Sequence, residues 1–130
     1  MLSDDQFPGD GPPFVGVDLI EIERIKKALR RWGDRFIARV YTPEEATASG
    51  GEPAALAMRF AAKEAASKAL GTGIGPVSWR EIEVRVGTRG RPLLALHGAA
   101  REVAVQLGVT RSAVSLTDTK DQALAVVILS

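Results

Sequence analysis

The chain has no cysteine at all, one histidine and few aromatics. Without cysteine, neither disulfides nor thiolate metal centres contribute, a composition compatible with a reducing compartment. Charge of one sign is also missing: 17 Lys and Arg face 16 Asp and Glu. A global basic field for wrapping nucleic acid is therefore excluded, and an aromatic stacking platform is lacking too. No apolar run approaches the length of a membrane-crossing helix, and the N-terminal residues lack a basic-then-apolar secretory pattern. These absences predict a cytoplasmic protein that acts on neither membrane nor nucleic acid.

What is present fits one domain of 130 residues. Residues 1–13, "MLSDDQFPGDGPP", are polar, acidic and rich in Gly and Pro, and read as a flexible leader to a domain spanning 14–130. A strand is expected over 14–19, with Gly16 marking a close backbone approach. Ile22, Ile25, Leu29 and Trp32 recur at helical spacing and predict a helix over 21–32, stopped by Gly33. A short helical segment with Phe36, Ile37 and Val40 comes next. Thr42, Pro43 and Glu45 then spell a capping box. A long helix follows over 53–70, ending at Gly71. Ile82, Val84 and Val86 alternate with charged residues as in a half-buried strand, with 91–96 as its hairpin partner. A helix over 98–107 precedes a second hairpin, whose last strand is apolar on both faces and so belongs at the centre or under cover. The expected class is α+β, a largely antiparallel sheet covered by helices on one face.

The segment "ALAMRFAAKEAASKALG" holds four charged residues among alanines. At about 100° per residue, Glu64 and Lys68 share one side of the helix while Arg59 and Lys63 lie on another. Small residues surround both pairs, so one charged pair should face a crowded interior, where charge must be paired or metal-bound. On spacing alone, Glu64 and Lys68 also read as an ordinary surface i, i+4 pair. Asp18, at the end of an apolar strand, also reads as a cap for the following helix. Spacing does not show whether Asp18 and Glu64 meet.

Taken together and in order, "GVDLIEIERI", "RFAAKEAASKALGTGIG", "VSWREIEV", "GRPLLALHG" and "VSLT" resemble the holo-acyl-carrier-protein synthase family of small 4′-phosphopantetheinyl transferases. The resemblance covers residues 14–129 and implies the 4′-phosphopantetheinyl transferase fold. It also implies transfer of phosphopantetheine from coenzyme A to a serine of an apo acyl carrier protein, releasing adenosine 3′,5′-bisphosphate. By the same resemblance, Asp18 and Glu64 hold a Mg²⁺ ion, and Lys68 contacts the pyrophosphate or assists the leaving group. The chemistry suits the residues: Mg²⁺ takes hard oxygen ligands, commonly one or two carboxylates with substrate phosphates and waters.

Arg59 matches the family block as a phosphate contact, with a solvated helix charge as the alternative. Gly71 and Gly73 either let coenzyme A approach the backbone or end the helix. Pro92 follows the family's "GRP" pattern near the nucleotide, or simply starts a strand. Arg24, Lys27 and Arg31, spaced i, i+3, i+7, form a basic stripe that is either solvated or docks the acidic carrier protein. Family members of this size form homotrimers, and the same is expected here. The departure is Asp118, which stands where the family often has histidine near a coenzyme A phosphate; a carboxylate there repels phosphate, and Lys120 is a substitute charge. His97 reads as structural. The rival function is a noncatalytic carrier-protein or nucleotide-binding relative.

Overall fold

The computed structural model describes residue 9 and residues 11–130. Residues 1–8 and 10 of the expected leader lie outside the described residues. Strand β1 (Phe14–Glu21) leads into α1 (Ile22–Trp32), α2 (Asp34–Val40), α3 (Pro43–Ser49) and the long α4 (Pro53–Leu70). A short 3-10 turn (Trp79–Glu81) precedes the hairpin of β2 (Ile82–Val86) and β3 (Pro92–Leu96). Helix α5 (Gly98–Gln106), β4 (Ser112–Asp118) and β5 (Gln122–Leu129) complete the chain. The α+β class is as expected, but the strands divide into two sheets. One runs β1-β5-β4, antiparallel throughout; the other is the β2-β3 hairpin alone.

β5 is central, as its two-sided apolar sequence requires. Its inward residues Ala123, Ala125, Val127 and Leu129 are fully buried. The cover over them is α4, which lies across β1 and β5. Alanines at 57, 61, 62, 65 and 66 are all inaccessible, so the helix approaches the sheet almost backbone to backbone. Gly16 is the limiting point. A methyl group added there would sit 1.8 Å from the Ala65 carbonyl oxygen, inside any permitted contact. Glycine is required at that position by space, not by dihedral preference.

Three local expectations change. In β2 the expected alternation fails: Glu83 is buried beside Ile82 and Val84, and Val86 is 58% exposed where the strand outruns its cover. β1 extends to Glu21, so Asp18 lies within the strand and caps no helix; Glu21 occupies the N-cap and makes no side-chain cap bond. Ile22 and Ile25 are buried as expected, but Trp32 is 48% exposed because α1 runs past the end of the core. Its ring is instead flanked by the guanidinium groups of Arg31 and Arg35, 4.9 and 6.0 Å from the ring centre.

The crowded charge is Lys63, which has no exposed surface. Its ammonium donates to Glu45 Oε1 at 2.7 Å, to the Trp79 carbonyl at 3.0 Å and to the Ile82 carbonyl at 2.5 Å. Three protons meet three acceptors, so the buried cation is fully satisfied. Burial pulls the Lys63 pKa down while Glu45 opposes it. Glu45 also completes the expected capping box with Thr42 and accepts the Val84 N–H, tying α3, α4 and β2 together.

Nearby, Glu83 accepts from Thr42 Oγ1 at 2.7 Å and Arg85 Nε at 2.9 Å, and pairs with His97 Nε2 at 3.1 Å. His97 is thus held in a structural network, as anticipated. Burial opposes ionisation of Glu83, but the hydrogen bonds from Thr42, His97 and Arg85 win and hold its pKa at about 2.

Two expected outcomes follow from this packing. Gly16→Ala should lower unfolding free energy in urea by about 3 kcal/mol or more; an unchanged midpoint would refute the contact. Glu83 has a depressed pKa, so its stabilisation is present above its ordinary pKa of 4.5 and fades as pH falls toward about 2. Glu83→Gln should accordingly show a flatter loss of stability across that window than the parent, measured by denaturant midpoints at each pH.

Candidate active site

The inward row of β1 runs Gly16, Asp18, Ile20, and Gly16 and Ile20 are buried under α4. Asp18 stands between them, 17% exposed at its side chain. Because Gly16 lets the helix come so close, α4 delivers two side chains to this carboxylate. Lys68 Nζ lies 3.0 Å from Asp18 Oδ1 and 3.2 Å from the Val17 carbonyl. Lys68 therefore pairs with the strand, and the ordinary i, i+4 pair with Glu64 is not its ion pair. Glu64, one turn earlier, is half-buried. Its pKa is raised, first by burial and then by the neighbouring Asp18 charge, with Lys68 and Arg24 pulling the other way. Two carboxylates from segments far apart in sequence thus share one local field.

Arg24 enters this field from α1, its guanidinium 5.7 Å from the Phe60 ring centre. Sequence spacing assigned it to a docking stripe; its reach toward Glu64 appears only in three dimensions. Lys27 and Arg31 are exposed on the same helix, and Arg35 extends the stripe across Trp32. Arg35 went unread because it belongs to a different helix. Arg59 is 8% exposed, which rules out a solvated helix charge. One Nη donates to the Ala55 carbonyl at 3.1 Å, while Nε has no partner among the described residues.

Gly71 takes the left-handed conformation, φ 79°, that ends α4. The N–H groups of Gly71, Thr72 and Gly73 return to the Lys68 and Ser67 carbonyls, so this loop's donors are already engaged. Pro92 opens β3 opposite Val86, in the separate hairpin. Asp118 pairs with Ala123, which in turn faces Ile20, so it lies on the inner face two strands away from β1. Lys120 is exposed in the turn that follows.

Among the described residues no group of three or more His, Cys, Asp or Glu is placed to hold a metal. Among the described residues, the pair of carboxylates brought together here is Asp18 and Glu64. That donor set fits a hard divalent ion that borrows its remaining oxygens from phosphate and water, and fits poorly a site closed by protein ligands. No described helix is long and apolar enough to cross a membrane.

A model of the 4′-phosphopantetheinyl transferase superfamily matches residues 14–127. The holo-[acyl-carrier-protein] synthase of Herpetosiphon aurantiacus is 51% identical over 121 residues, covering 88% of this chain and 95% of that one. The Halorhodospira halophila protein of the same name is 50% identical, covering 88% and 94%. Among solved structures, Helicobacter pylori holo-[acyl-carrier-protein] synthase in complex with coenzyme A aligns with a TM-score of 0.82 at 31% identity, covering 89% and 99%. With these matches spanning both β1 and α4, the chain belongs to the holo-acyl-carrier-protein synthase family, and is an enzyme of the 4′-phosphopantetheinyl transferase class.

Proposed function

We propose that residues 14–130 form one catalytic domain that transfers 4′-phosphopantetheine from coenzyme A to a serine of an apo acyl carrier protein. The observation that carries this reading is the meeting of Asp18 with Glu64 and Lys68 across the β1–α4 contact. Asp18 and Glu64 would hold Mg²⁺, which when bound withdraws charge from the diphosphate oxygens. The serine oxygen attacks the β-phosphorus, and the bond to the bridging oxygen of the α-phosphate breaks. Adenosine 3′,5′-bisphosphate leaves with the electron pair, and the serine proton passes to base. Lys68 stabilises charge on the departing phosphate.

Arg59 is read as a contact for a coenzyme A phosphate, since its buried Nε lacks a partner among the described residues. Gly71 and Gly73 serve coenzyme A by their lack of side chains rather than by N–H donation, and Pro92 borders the same ligand. Arg24, Lys27 and Arg31 face an acidic carrier protein, where opposite charge chiefly speeds and orients encounter. A cytoplasmic setting suits both substrates.

The outer face of the main sheet supports a homotrimer. Val15, Val17 and Leu19 are 63, 52 and 57% exposed, and Ile128 beside Val15 is 43% exposed. Such a contiguous apolar face calls for cover, and we assign that cover to two further copies of the chain. Light scattering after gel filtration should give a mass of three chains, falling to one chain in Val17→Asp; a monomeric parent overturns the assignment.

The function itself is tested by intact mass. Apo carrier protein incubated with coenzyme A and Mg²⁺ should gain the mass of one phosphopantetheine, and chelation should abolish the gain. Asp18→Ala and Glu64→Ala should each fold normally yet slow transfer by at least about 10²-fold. Normal turnover in either variant rejects its ligand role. No gain with any acyl carrier protein tried overturns the proposed substrate pair.

A further inference from the structure

The ammonium of Lys68 rests on one of the two carboxylates proposed to hold the ion. It holds Asp18 Oδ1 at 3.0 Å and the Val17 carbonyl at 3.2 Å. Its side chain is 54% exposed whereas that of Asp18 is 17% exposed, so the lysine reaches an enclosed carboxylate from the solvent side. With Lys68 in place, the formal charges of Asp18, Glu64 and Lys68 sum to −1; without it the pair presents −2 to an incoming ion. An ammonium on one carboxylate oxygen also repels a divalent ion at the same carboxylate.

We propose that Lys68 is a resident competitor for Asp18, neutralising that carboxylate in the free enzyme and releasing it to the divalent ion as its own charge moves to the diphosphate. The inference rests on the reading of Asp18 and Glu64 as the metal site. Its consequence is a coupling between two ligands. A diphosphate that draws Lys68 off Asp18 makes room for the ion, and an ion on Asp18 frees Lys68 for the diphosphate. By linkage, each then tightens the other's binding beyond their direct contact. The same side chain that assists the leaving group thereby suppresses idle metal binding.

The test is Mn²⁺ binding, followed by the electron paramagnetic resonance signal of the free ion, with coenzyme A present or absent and no carrier protein. Lys68→Met keeps the helical propensity and the aliphatic stem, and circular dichroism verifies its fold. Without coenzyme A, Lys68→Met should bind Mn²⁺ about tenfold more tightly than the parent, a modest factor because the lysine is half in solvent. Lys68→Arg, which retains the cation, should bind as weakly as the parent. Coenzyme A should improve Mn²⁺ affinity more in the parent than in Lys68→Met. Equal or weaker binding by Lys68→Met in the absence of coenzyme A overturns the proposal while leaving the metal site standing. Mn²⁺ binding unaffected by Asp18→Ala overturns the metal reading itself and this proposal with it.

Discussion

The contact between the backbone of β1 at Gly16 and that of α4 at Ala65 governs the rest of this molecule. No side chain separates strand from helix there, so the two elements sit closer than ordinary helix-on-sheet packing allows. Asp18 and Lys68 lie immediately beyond that point on either element, and the short distance between backbones brings their charged tips within 3.0 Å. A bulkier helix would bury the strand equally well, yet hold the carboxylate away from its partners. The alanines of α4 serve the site as much as the core.

Helix α4 carries charge in two environments that differ in kind. Lys63 is enclosed, with every proton matched to a fixed acceptor on α3, the 3-10 turn or β2. Such a pair adds little net stability compared with apolar packing, but breaking it is costly and its geometry favours one arrangement. In a helix whose alanines are nearly interchangeable around its circumference, that specificity matters. About 100° further round, Glu64 is half-buried with Asp18, Lys68 and Arg24 near it. Adjacent residues thus differ in role: one locks the helix in rotation, and the next faces the carboxylate of Asp18.

The exposed side of the same sheet has a different character. Val15, Val17 and Leu19 alternate with Gly16, Asp18 and Ile20 on β1, so a single strand presents an apolar face outward and the site inward. A subunit packed on the outer face would stiffen the strand that holds Asp18. The proposed assembly and the proposed chemistry would therefore be linked through the pleat of one strand, whose successive residues point to opposite sides.

Local order in this protein was legible in its sequence because short-range rules dictate it. The strand over 82–86, the Thr42–Glu45 capping box and the glycine stop at Gly71 all appear where the residues place them, but the alternation within that strand gives way because Glu83 is drawn into a buried network. Ordered motifs pointed to Asp18, Glu64 and Lys68, and to the family. Pairing across distance was not legible. Helical spacing placed Lys68 beside Glu64, whereas the fold hands it to Asp18. Spacing likewise put Trp32 in the core, though α1 outruns the core there. Nor did it reveal that Glu45, already spent on its cap, also neutralises Lys63, or that Arg24 bears on Glu64. Periodicity along one element fixes which residues share a face, while the partner across the gap depends on how closely two backbones approach. Here that distance was decided by the tertiary meeting of a glycine and an alanine.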